Sequence, residues 1–251
     1  MIVITGPGRS GTSLLARLYG ELGFDPGGHW EPAVNAGFED REVVTMNLEL
    51  AEAMGVSIRE RRGGRTLRAL GKAVRASDGR VPPALRRPLV SAVDSLRYSR
   101  STPDLMDWSS VGDVAERYGE RLRAMAGARQ VVKDPRFCFT LRAWMAAGAP
   151  IESVVFTIRA LDAMADSRVR VGMYRQRARD WARHNYAYGT GLLLTAIAEY
   201  RLPVSTLRFP DFLADPEALY AALPMPEPRT PEEFERAFAA VYNPDLVHDG
   251  R

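Results

Sequence analysis

One cysteine, Cys138, stands in 251 residues. That excludes a disulfide framework and any multi-cysteine metal site. Lysine is almost as scarce: of the 34 Lys and Arg residues only Lys72 and Lys133 are lysines. No apolar run approaches the roughly 18 residues that a membrane helix needs. The first residues, Met1 to Thr5, run directly into a turn, without the charged and apolar regions of a signal peptide. A soluble, cytoplasmic protein without a membrane partner is therefore expected. Large single-sign charge is missing too, since 31 carboxylates offset the cations to a net +3. That interspersion argues against a nucleic-acid partner.

What is present is ordinary globular material, 46% hydrophobic and 26% charged, enough for a sizeable core. The preference for Arg over Lys fits the codon usage of a high-GC genome. It also suits a phosphate or sulfate ligand, because the guanidinium fork matches such anions.

Four β-branched runs read as strands: residues 2–5, 130–133, 153–158 and 204–208. Each is short and apolar without alternation, as in a parallel sheet buried on both faces. Helical spacing of apolar residues fills the stretches near 14–22, 43–54, 111–126, 137–147, 161–170, 174–200 and 231–241. Strands alternating with helices predict a three-layer α/β fold with a central parallel sheet of about four to five strands. Residues 1–251 read as a single domain. Within it, about 57–110 is rich in arginine, lacks a convincing strand and reads as a helical insertion serving as a lid over the acceptor.

The first strand leads into Gly6-Pro7-Gly8-Arg9-Ser10-Gly11-Thr12-Ser13 and at once into a helix. A strand, a glycine turn and a helix N-terminus together form an anion site, since backbone N–H groups and the helix dipole converge on the ligand. Gly6, Gly8 and Gly11 let the backbone approach, Thr12 and Ser13 add hydroxyls, and Arg9 adds a cation. Gly6 and Gly11 have the Walker A spacing, but Thr12 occupies the lysine position. With no Walker B acid following, an ATPase is disfavoured.

These residues resemble the 5′-phosphosulfate loop of sulfotransferases that use 3′-phosphoadenosine 5′-phosphosulfate (PAPS), in the arginine form of the bacterial and carbohydrate-type branch. A second element, Val154-Val155-Phe156-Thr157-Ile158-Arg159 with Ser167 eight residues on, is similar to the family's 3′-phosphate site. Lys133-Asp134-Pro135-Arg136, the stretch from Leu207 to Pro216 and Asn35-Ala36-Gly37-Phe38-Glu39-Asp40 match further segments. Arg159 is followed by Ala160-Leu161, where family members often have Asp-Pro. The resemblance implies transfer of a sulfuryl group from PAPS to a hydroxyl of a small molecule or carbohydrate, with release of 3′-phosphoadenosine 5′-phosphate (PAP) and no metal. Gly8, Arg9, Ser10, Gly11, Thr12, Ser13, Arg159 and Ser167 would hold the co-substrate.

Arg9 would stabilise charge on the leaving group. Lys133 has two readings, an anion-site cation or a salt-bridge partner of a carboxylate. The base that accepts the acceptor's proton is sought among Glu39, Glu31 and His29, in that order. Neither glutamate has an obvious basic partner nearby in sequence. Two other functions remain open: a small-molecule or nucleotide kinase with a degenerate phosphate loop, and a non-catalytic nucleotide-binding protein of the same fold.

Overall fold

The structure, a computed structural model, describes residues 1–28, 30–31, 36–56, 106–170 and 179–242. In chain order the elements are β1 (Ile2–Thr5), α1 (Thr12–Glu21), β2 (Trp30–Glu31), β3 (Ala36–Gly37), α2 (Arg41–Ala53), α3 (Ser110–Gly127), β4 (Val131–Lys133) and α4 (Phe137–Ala146). Then follow β5 (Ser153–Ile158), α5 (Leu161–Arg170), α6 (Arg179–Tyr200), β6 (Val204–Arg208), a 3-10 turn at Asp211–Leu213, α7 (Pro216–Ala222) and α8 (Pro231–Val241). Among the described residues β1, β4, β5 and β6 form one parallel sheet in the order β4-β1-β5-β6. The expected three-layer α/β architecture is what the chain adopts.

Alternation of side chains along the strands divides the core in two. Val3, Val132, Val154 and Phe156 face a layer made by α2, α3, α4 and α6. Ile2, Ile4, Val131, Val155 and Leu207 face the opposite layer of α1, α7 and α8. Strands covered on both sides carry apolar residues at every position, so β1 and β4 are buried throughout. β6 departs from the expectation of two covered faces. Val204 is 43% exposed, and Leu207 is the strand's one fully buried residue. Among the described strands β6 pairs only with β5, and its outer positions gain less burial.

Helix boundaries follow local chemistry. Asp40 caps α2 by accepting from the amides of Glu42 and Val43. Thr230 and Glu233 form a capping box at α8, with Pro231 in the first turn. Asp215 and Pro216 start α7, a helix that apolar spacing does not reveal in so short a segment.

The arginine-rich insertion lies outside the described residues from 57 to 105, and so does the start of the helix expected from 174, up to 178. The ends of that insertion are described. The Asp107 amide donates to the Met54 carbonyl at 3.0 Å, and Met106 is buried in the same core layer as Met54. The chain therefore leaves and rejoins the core at one point.

Candidate functional site

All four strands of the sheet run the same way, so their C-terminal ends line one edge. The connection after β1 leads to β4 on one side, whereas the connection after β5 leads to β6 on the other. Loops that diverge in this way open a crevice at the ends of β1 and β5, where ligands of open α/β sheets bind. The loop of residues 6–11 and Arg159 both lie there.

The loop is shaped by positive backbone angles. Gly11, with φ 94°, begins α1 without a side-chain cap. A Cβ at Gly11 would come within 2.6 Å of the Phe209 ring, and one at Gly6 within 2.4 Å of the Thr157 carbonyl. Arg9 takes φ 76° despite having a side chain. That left-handed conformation costs about 1–2 kcal/mol in an L-residue, a strain that collects at functional sites. It is held from both sides. The Arg9 Nε donates to Ser167 Oγ at 3.1 Å, and the Arg159 Nη1 donates to the Arg9 carbonyl at 3.3 Å. Arg9, Arg159 and Ser167, expected as members of two anion sites, are thus brought into one connected cluster. The Arg159 guanidinium also lies 4.9 Å from the centre of the Phe209 ring, a cation–π contact.

The loop hydroxyls divide by burial. Ser10 is fully buried, and its hydroxyl exchanges a 2.7 Å hydrogen bond with Thr157. Its side chain braces the loop against β5, which leaves the backbone as the part able to meet an anion. Thr12 is 3% exposed, while Gly8 and Ser13 are half-buried. Phe209 and Thr157 were not expected at the site. Both follow apolar strand runs and carry no anion-binding signal, but Phe209 against Gly11 explains why that position excludes a side chain.

Beside this crevice, at the end of β4, lies a second polar centre of different character. Lys133 is buried, and its Nζ donates to the Gly37 carbonyl at 3.1 Å and to the Glu39 carboxylate. Burial pushes the ammonium below its ordinary value, against the pull of Glu39. Of the two readings of Lys133, the structure supplies the ion pair. The partner is contributed by a segment 94 residues away in sequence. Glu39 has no basic partner nearby in sequence, and folding supplies one from a distance. Glu39 does not cap α2 either, since Asp40 does. Gly27 and Gly28 cross so close to Asp40 and Glu39 that a Cβ on either would fall within 2.6 Å of them. β3 packs against α1, so the segment leading to Glu39 folds back beside the helix that follows the loop of residues 6–11.

Of the other two base candidates, Glu31 lies in β2, paired with Ala36 of β3 in a small antiparallel hairpin. Its side chain is not among the described groups, and His29 lies outside the described residues.

Behind Lys133 the polar chain continues inward. The Asp134 amide donates to the Ile4 carbonyl at 3.2 Å, and the Thr5 hydroxyl donates to the Asp134 carbonyl at 3.0 Å. Asp134 Oδ2 accepts from Asn47 Nδ2 at 2.8 Å. Asn47 Oδ1 in turn accepts from Thr140 Oγ1 at 2.7 Å and Trp144 Nε1 at 2.8 Å. Asn47, Asp134, Thr140 and Trp144 are all fully buried. Such a network is stabilising only when every member is satisfied, and this one is closed by α2, β4 and α4 together. Arg129 adds an outer clamp, with Nε to Asp40 at 2.9 Å and Nη2 to Glu42 at 2.8 Å.

Compared with known protein families, curated proteins and solved structures, the chain matches none. Among the described residues no helix is long and apolar enough to cross a membrane.

Proposed function

We propose that the protein transfers a sulfuryl group from PAPS to a hydroxyl of a small molecule or carbohydrate. The observation that carries this reading is the junction of Arg9, Arg159 and Ser167 at the diverging ends of β1 and β5. A ligand with anionic groups at two places needs two cations reachable from one crevice, and Arg9 and Arg159 supply them. The P-loop-like turn from Gly6 to Ser13 presents its amides and the start of α1 to the phosphosulfate.

In the transfer, the acceptor oxygen attacks sulfur in line and a new S–O bond forms. The S–O bond to the 5′-phosphate breaks, and PAP leaves with the electron pair. Arg9 stabilises the charge that grows on that leaving group. Glu39 takes the acceptor's proton, being the half-exposed end of an otherwise buried ion pair, 28% exposed against 2% for Lys133. Lys133 holds the carboxylate in place. A cytoplasmic setting fits the reducing chemistry of a lone buried thiol, Cys138.

Thermal unfolding of the native protein with PAP, ADP and ATP tests this. A ligand that binds only the native state raises the melting temperature. PAP is expected to raise it clearly more than ADP, and Arg159→Ala to weaken PAP binding by about 1.5–3 kcal/mol, the worth of a charge-assisted hydrogen bond. Equal shifts for PAP and ADP would remove the 3′-phosphate site, and a larger shift with ATP would favour the kinase.

A further inference from the structure

One side chain of the β4 centre is left without a role by the mechanism above. Arg136 follows Lys133-Asp134-Pro135 and stands at the start of α4, on the same sheet edge as the phosphosulfate loop. The two segments touch. The thiol of Cys138, in the first turn of α4, lies 3.6 Å from the hydroxyl of Thr5, the residue that leads into the loop. Arg136 therefore stands on the β4 side of that edge, with Arg159 on the β5 side.

Its setting differs from that of a surface arginine. Asp134 Oδ1 accepts both from the Arg136 backbone amide at 3.0 Å and from its Nη1 at 2.8 Å. The turn itself needs only the first of these bonds. The second fixes the guanidinium, and Asp134 is in turn fixed by Asn47, which is fixed by Thr140 and Trp144. Four fully buried side chains thus end in one guanidinium that is 29% exposed. A guanidinium carries five donors in a rigid plane, and the bond to Asp134 engages Nη1. A fork held this way recognises a planar or tetrahedral anion with little ordering left to do on binding, which is how preorganisation raises affinity.

We propose that Arg136 is a specificity-determining residue that receives an anionic group, a carboxylate or a sulfate, carried by the acceptor. The proposal rests on the sulfotransferase reading for the word acceptor, and on the buried relay for the anion. Donor sulfate and acceptor anion share the same chemistry. The acceptor is favoured because Arg9 and Arg159 are assigned to the donor, and Arg136 belongs to the same β4 end as the Lys133–Glu39 pair to which the acceptor hydroxyl is assigned.

The test uses two sugars that differ in one group, 4-nitrophenyl β-D-glucuronide and 4-nitrophenyl β-D-glucoside, with the full chain and with Arg136→Met and Arg136→Lys. Each sugar is titrated against the protein with and without PAP, and PAP release from PAPS is followed in parallel. The native protein is expected to bind the glucuronide at least tenfold more tightly and to show a lower KM for it. Arg136→Met should erase that preference while leaving the glucoside and PAP affinities unchanged. Arg136→Lys, which keeps the charge but loses the fork, should restore only part of it. Equal binding of the two sugars by the native protein overturns the proposal, and so does an equal loss for both in Arg136→Met. A loss of PAP affinity in Arg136→Met would assign the residue to the donor instead. Absence of PAP binding or of PAP release would sink the sulfotransferase reading alone, because the sugar titration without PAP still reports on Arg136. A glucuronide preference that survives in Arg136→Met also overturns it, and a matching melting temperature for the variant shows that the fold is intact.

Discussion

The ends of β1 and β5 and the end of β4 lie side by side and solve the placing of charge in opposite ways. At β1 and β5 the cations are partly exposed, the backbone is strained at Arg9, and the hydrogen bonds joining Arg9 to Ser167 and Arg159 are 3.1 and 3.3 Å long. At β4 Lys133 and Asp134 are buried, and each is bonded to a partner. The first arrangement can exchange its internal contacts for a ligand at little cost. The second holds its geometry whether or not a ligand is present, because breaking one bond there leaves a buried group unsatisfied. A binding surface and a fixed reference frame are different requirements, and on the proposed function the molecule would assign them to neighbouring strands.

The sharpest way to break this contrast is Glu39→Gln. The shape is kept but the carboxylate is lost, so sulfuryl transfer should fall by roughly 10²–10⁴-fold while PAP still raises the melting temperature. A variant with native turnover would return Glu39 to a purely structural partner of Lys133. Asp134→Ala comes next and acts on stability. It strands Asn47 and Arg136 in or beside the core, and removal of one partner of a buried pair costs about 3–5 kcal/mol. Urea unfolding reads this directly, and a loss below 1 kcal/mol would mean that the buried network is not the rigid side.

Arg9→Ala should do the reverse, lowering turnover by on the order of a hundredfold with stability nearly unchanged, since the residue sits on a turn and charge develops beside it only in the transition state. Normal turnover at saturating PAPS would remove it from the mechanism. The smallest effect is expected at Asp40. Burial pushes its carboxyl up, but Arg129 and the amides of Val43 and Glu42 outweigh this and hold it below its ordinary 3.8. A group with a depressed folded value contributes stability that is present above pH 3.8 and is lost as pH falls through that lower value. Asp40→Asn keeps a competent cap, so the loss at pH 7 should stay under about 1 kcal/mol. The gap between urea midpoints at pH 7 and pH 3 should narrow. A wider gap would contradict the sign.

The contrast also separates what could be read in the sequence from what could not. The sheet was legible because strands covered on both faces must be apolar at successive positions, and residues 2–5 and 153–158 have the bounds expected of them. Arg9, Arg159 and Ser167 were singled out by their motifs at strand ends, and the structure joins them by hydrogen bonds. The Lys133–Glu39 pair was not, since no local rule joins residues so far apart along the chain. Asn47 did leave a signal. It stands in the buried stripe of α2, between Met46 and Leu50, where a carboxamide is costly unless it is bonded. The β2–β3 hairpin left none, because strands of two residues are too short to show a period.

The bond from the Asp107 amide to the Met54 carbonyl has a consequence for how this chain can vary. The entropy of closing a loop grows only with the logarithm of its length, so an excursion between two fixed posts can lengthen or shorten at slight cost. Met54 and Met106 pack in one core layer, so the end of α2 and the approach to α3 are joined independently of the length of chain between residues 57 and 105. The molecule carries a splice point, a place where a lineage can exchange one cassette for another without renegotiating the frame that holds Lys133 and Glu39.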